Sequence, residues 1–299
     1  VIDRASTFAN PTIVKLLQNE FIPVAIDQAY QRRQKDNEGD FYRKIAKQGP
    51  RDLNATTQGF YIATARGNLL VYNNNRDPQK LRRLMAQSIN QFQSWQAAEN
   101  QVAAIESGEP DKQFNPKPPT KGLVVRVRAK VMRGYARSTN HWKTVFQSSV
   151  SRDNLWITKK EHDALLSGSI PKKLQTRIAR FHLVDNTRGE PDMWKPEEIR
   201  DIQFALTDGI IKGAAHMESE DGTRGYITRL RGKVETSDKR VTKFILVAHG
   251  DYWGEGRYTG GAPKGKFPLA VTFRLADGSD TADAIPPQGS RGWIDGYLR

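Results

Sequence analysis

The chain has 299 residues, 37% of them hydrophobic and 27% charged, with a formal net charge of +14. No apolar run approaches the ~18 residues of a membrane-spanning helix, and the absence of cysteine excludes disulfides, thiolate nucleophiles and cysteine-ligated metals. The length suits two domains. Val1, standing where an initiator Met would and with no apolar leader behind it, gives the amino terminus a processed look, which favours a periplasmic or secreted setting over a cytoplasmic one.

In chain order, Asn10-Pro11-Thr12 supplies a helix start, a capping Asn followed by Pro at the first helical position. Ile13, Val14, Leu16 and Leu17 give that helix its apolar face. Phe21–Asp27 (FIPVAID) reads as a buried strand ending in an acid, and a charged loop follows to Gly39. Phe41, Tyr42 and Ile45 mark a second helix that stops before Gly49-Pro50. Gln58–Thr64 and Asn68–Tyr72 form a hairpin about Arg66-Gly67, and Asp77-Pro78 opens a long helix with Leu81, Leu84, Met85, Ile89 and Phe92 at helical spacing.

The run Ser6–Asp27 (STFANPTIVKLLQNEFIPVAID), the hairpin and the Asp77 helix together resemble the part of a thioredoxin-like protein that follows its active-site turn. The resemblance is nearest to the branch that includes the spermatogenesis-associated thioredoxin-like proteins, and it covers about the first third of the chain. It implies an α/β thioredoxin-like domain over residues 1–105, with its first strand and Cys-x-x-Cys turn falling before or at Val1. The family's cis-proline has no counterpart, because Thr56-Thr57-Gln58 stands in its place. Thiol–disulfide exchange is therefore excluded for this chain.

Residues 106–121, rich in Pro, Gly and charge, read as a linker, and residues 122–299 as a β-rich, mainly antiparallel α+β domain. Leu123–Val131 alternates with period two, so Arg126, Arg128 and Lys130 share one strand face and Val125, Val127, Ala129 and Val131 the other. Helices are expected at Lys159–Leu166 and Pro171–Ala179. Strands follow at Ile202–Leu206, Gly213–Glu218, Gly225–Leu230, Lys243–Ala248 and Leu269–Leu275, separated by turn residues in the manner of a barrel or sandwich.

Three constellations carry chemistry. His216/Glu218 and His249/Asp251 each put an imidazole and a carboxylate on one strand face, so neighbouring strands would bring them together as a divalent-metal or acid–base site. The glycine-rich run after Trp253 carries Arg257, Tyr258, Lys264 and Lys266, and with His249, Asp251, Tyr252 and Trp253 it would line a ligand pocket. Between Lys121 and Arg180 stand fourteen Lys and Arg against three acids (Asp153, Glu161 and Asp163), a net +11. Within that stretch Arg126, Arg128, Lys130 and Arg133, with Tyr135, Arg137, His141 and Trp142 close by, form the anion-binding candidate.

The leading expectation is a redox-inactive binding or scaffold module for an anionic or protein partner, with no cofactor required. The alternatives are a metal-assisted hydrolase or lyase built on His216, Glu218, His249 and Asp251, and nucleic-acid binding through residues 121–180. For each constellation the plainer reading also stands: a solvated sheet face, a packed hairpin loop, or histidines hydrogen-bonded separately.

Overall fold

The computed structural model describes residues 2–95 and 108–299, and these divide into two compact units. Residues 3–116 and 291–293 form the first. Its elements are helices α1 (Ile2–Ala5), α2 (Pro11–Glu20), α3 (Gln28–Gln31) and α4 (Asn37–Ala46), the hairpin β1 (Phe60–Ala63) and β2 (Leu69–Asn73), and helix α5 (Pro78–Gln93). The starts of these helices follow from local chemistry. Asn10 accepts from the amides of Thr12 and Ile13, Asp36 from Gly39 and Asp77 from Gln79, so donors that a helix leaves unpaired at its first turn are satisfied. Ile13, Leu81 and Met85 are buried between α2 and α5, with Phe8, Leu16, Leu17, Phe21, Phe60 and Ile62 packed around them.

The expected strand at Phe21–Asp27 is not a strand. The segment is extended but joins no ladder, and Ile22 and Val24 are 92% and 76% exposed. A strand buries its side chains through pairing, and β1 pairs with β2 alone among the described residues. Phe21 still enters the core, whereas Asp27 caps α3 by accepting from the Ala29 amide at 2.8 Å. This unit is thus a small α/β assembly around one hairpin. Asp111, within residues 108–116, bonds back to this unit. The Asp111 amide donates to the Asp36 carboxylate at 2.8 Å, and the Lys35 amide to the Asp111 carboxylate at 2.7 Å.

The second unit holds residues 117–290 and 294–299. It comprises β3 (Leu123–Val131), α6 (His141–Ser148), β4 (Asp153–Ile157), α7 (Lys159–Leu166), α8 (Lys172–His182), β5 (Ile199–Thr207), β6 (Ile210–Glu218), β7 (Gly225–Ser237), β8 (Arg240–Trp253), β9 (Lys266–Leu275) and α9 (Ile294–Leu298). All seven strands make one antiparallel sheet in the order β4-β3-β9-β8-β7-β6-β5, the mainly antiparallel β-rich α+β domain expected, and it is an open half-barrel without a second sheet packed on it among the described residues. The reason lies in the helices. Leu174, Ile178 and Ala179 of α8 and Leu165 of α7 join the core formed by the sheet's inner face, where a sandwich would have a second sheet. Alternation along each strand sends Phe244, Leu246, Phe267, Phe273, Tyr226 and Tyr252 inward. At the β5–β6 turn Asp208 and Gly209 both have positive φ, as a two-residue hairpin turn requires.

Each rim of the sheet is partly capped by side chains. On β5 the Ile202 carbonyl accepts from Lys172 Nζ at 2.9 Å and the Phe204 amide donates to Gln175 Oε1 at 3.4 Å, both side chains coming from α8. On β4 the Asn154 amide donates to the Asp153 carboxylate at 2.8 Å and the Trp156 carbonyl accepts from the Arg177 guanidinium at 3.3 Å. Some of the groups that would template a further strand are thus occupied at each side.

Beneath the sheet lies a fully buried polar set. Glu161 accepts from Arg177 at 2.7 Å, and the same guanidinium donates to the carbonyls of Tyr297 and Leu298, tying down α9. His182 bridges Asp153 at 3.1 Å and the Tyr297 hydroxyl at 2.6 Å. Burial pushes the Tyr297 hydroxyl well above the ordinary phenol range, so it stays protonated. This triad of side chains is closed off from solvent and anchors the carboxy terminus.

Candidate anion-binding face

The outer face of the sheet is defined by the strand register, since directly opposed residues in an antiparallel ladder lie on one face. Three consecutive rows cross its middle. The first runs Gln203, Ala214, Arg229, His249, Ala270, Lys130; the second Ala205, Lys212, Arg231, Val247, Thr272, Arg128; the third Thr207, Ile210, Lys233, Ile245, Arg274, Arg126. None of the three contains an acid. The acids borne by these strands on this face stand toward the ends, Asp201, Glu218 and Asp251 at one and Glu235 at the other.

The cations in these rows fall into two kinds. Arg126 is committed: it donates to both oxygens of Asp283 at 2.8 Å and to Asp277 at 2.6 Å, and those carboxylates hold its charge more firmly than usual. Lys233 lies 2.7 Å from Glu235. Lys212, Arg229, Arg231, Arg274, Arg128 and Lys130 have no carboxylate partner among the described residues. Ile245 and Val247, 37% and 38% exposed, stand between them on β8.

The residues singled out from the sequence are distributed as follows. Arg128 and Lys130 lie within the face, Arg126 lies within it but is neutralised, and Arg133 lies beyond the end of β3. Of the nearby aromatics, Tyr135 does not offer a stacking surface, because its hydroxyl accepts from the buried Arg188 guanidinium at 3.1 Å. The four-residue metal set does not assemble. β7 stands between β6 and β8, and His216 is opposed by Ile227 while His249 is opposed by Arg229. His216 instead lies 3.3 Å from Glu218, and no group of three potential ligands occurs among the described residues.

The pocket expected around the glycine-rich loop is split by the pleat. Tyr252 points inward among Trp194, Tyr226 and Phe267, and burial raises its hydroxyl above the ordinary phenol range. His249, Asp251 and Trp253 alternate with it on the outer face, where Lys266 Nζ sits 4.5 Å from the centre of the Trp253 ring. Arg257 stacks on Tyr258 and its amide donates to Asp192, while Lys264 is exposed in the loop.

Sequence reasoning missed Lys212, Arg229, Arg231 and Arg274. A local signal existed for two of them: Arg229-x-Arg231-x-Lys233 repeats the alternation of Arg126-x-Arg128-x-Lys130. Fold and face together define an antiparallel sheet domain with a cationic outer surface. Comparison with known proteins finds no matching family model, no similar curated protein and no similar solved structure.

Proposed function

We propose that this chain is a binding module that recognises an anionic partner through the outer face of its seven-stranded sheet. The observation that carries the reading is the set of three acid-free rows, in which six cations from β3, β6, β7 and β9 converge without carboxylate partners. Like charges gathered on one face repel one another, and an anionic partner relieves that repulsion while guiding its own approach. The amino-terminal third, read as a thioredoxin-like frame without cysteine, acts as a scaffold. The α2 helix and the β1-β2-α5 order support that part, while Phe21–Asp27 does not add the strand that frame calls for.

The test is binding of fluorescent heparin at low ionic strength, followed by anisotropy. The wild-type chain is expected to bind with an affinity that falls steeply as salt is added. The Arg229→Glu/Arg231→Glu variant, altered at exposed positions, is expected to bind at least about tenfold more weakly with an unchanged melting temperature, a loss of about 1.4 kcal/mol. Equal binding by variant and wild type would remove the face from the function.

A further inference from the structure

The six uncommitted cations are not scattered across the face. They form two banks on either side of β8: Lys212, Arg229 and Arg231 on β6–β7, and Arg274, Arg128 and Lys130 on β9–β3. β8 contributes Ile245, Val247 and His249 between them. Within β7, and likewise within β3, same-face neighbours are two residues apart, a spacing of ~6.8 Å. From β7 to β3 there are three strand intervals, or ~14 Å at ~4.8 Å each.

We infer that the anionic partner is a nucleic-acid duplex, gripped by both of its phosphate backbones with its groove lying over β8. The inference rests on the function proposed above and names the partner's class. A duplex offers two rows of phosphates flanking a groove, the B-form major groove being ~12 Å wide, which two cationic banks ~14 Å apart can straddle. A single strand or an acidic helix offers one row and engages one bank. Single-strand binders add aromatic platforms for the bases, and the three acid-free rows contain no Phe, Tyr or Trp. Arg, which outnumbers Lys in the two banks, pairs with phosphate through two parallel N–H donors. A bilayer would need apolar side chains that project, whereas the aliphatics of this face, Ile210, Ile227, Ile245 and Val247, are each less than half exposed and are outnumbered by its cations. A second copy of the face would set cation against cation. The six bank cations meet phosphates, and His249 is the one polar side chain of the three rows on β8, so recognition is mainly of backbone geometry and largely independent of sequence.

The experiment measures the affinity of the full chain for a labelled duplex of about two helical turns, for either of its strands alone and for heparin, across a potassium chloride series. Six phosphate contacts give an expected slope of log K against log salt of about −5 for the duplex, and three contacts about −2 for the single strand. The duplex is expected to bind at least about tenfold more tightly. Arg128→Glu/Arg274→Glu, which reverses charge in one bank, is expected to bring duplex binding down to the single-strand level. Arg128→Lys/Arg274→Lys keeps the charge and should retain most of the affinity, so a folding defect is distinguishable from loss of a contact. Equal affinities and slopes for duplex and single strand, or duplex binding indifferent to the Glu variant, overturn the inference. If heparin binding remains dependent on Arg229 and Arg231 in that case, the anionic-partner reading survives alone. If no polyanion responds to those substitutions, both fall.

Discussion

Asp277, Asp280 and Asp283 show how a basic chain keeps part of its charge in order. Asp283 serves Arg126 and Arg152 together, Asp277 adds a second contact to Arg126, and Asp280 a second to Arg152. The Ser279 hydroxyl and amide, then Arg126, hold the Asp277 carboxyl well below the usual carboxylate range; Arg152 and the Ala282 amide lower that of Asp280. A depressed folded-state value means stability that is present above the unfolded value, about 4, and lost as pH falls through the folded one. The melting temperature is therefore expected to drop as pH is lowered from about 5 toward 2, and Asp277→Asn/Asp280→Asn is expected to flatten that drop while lowering the pH 7 value. An identical pH profile in the variant would show that these contacts do not contribute.

Among the elements, the segment Phe21–Ile26 stands apart. Its β-branched residues face solvent, so Ile22→Lys and Val24→Lys are expected to change unfolding free energy by no more than about 0.5 kcal/mol. Ile13→Ala, at a fully buried site on α2, is expected to cost about 2–4 kcal/mol. Urea unfolding measures both, and light scattering of the two Lys variants should show less association, because an apolar extended segment without a ladder invites pairing between chains. The same segment marks the limit of what is legible along the chain. Helix starts at Asn10 and Asp77, the Val125–Val131 alternation and the Asp208-Gly209 turn are local signals, and each appears in the fold. Whether FIPVAID lies in a sheet depends on a partner elsewhere, which periodicity does not report. β4 was missed for a related reason: Asp153 and Asn154 mask a five-residue strand whose burial comes from its neighbours. The site follows the same rule. Arg128 and Lys130 stand out by alternation, but their convergence with Lys212, Arg231 and Arg274 is a matter of register across five strands.

At the scale of the whole molecule, charge is an opposing force that the fold tolerates. The net +14 and the unpaired cations of the outer face repel in the folded state, and added salt screens that repulsion over about 10 Å at 0.1 M. Without any ligand, the melting temperature is expected to rise between low and about 0.3 M potassium chloride, by about 2–4 °C for each kcal/mol relieved in a unit of this size. Scanning calorimetry measures it. A fall in melting temperature would mean that the ion pairs outweigh the repulsion, and the cationic face would then be too weakly strained to drive association.

The acid-free rows also set a measuring length. They span β5 to β3, five strand intervals or ~24 Å across the strands, and two same-face steps, ~14 Å, along them. On the proposed reading, a duplex whose groove follows β8 would meet each molecule over the shorter of these dimensions. Successive copies would then line up as discrete tenants along the polymer, and saturation would be reached at a stoichiometry set by the length of the strands and not by the number of charges supplied.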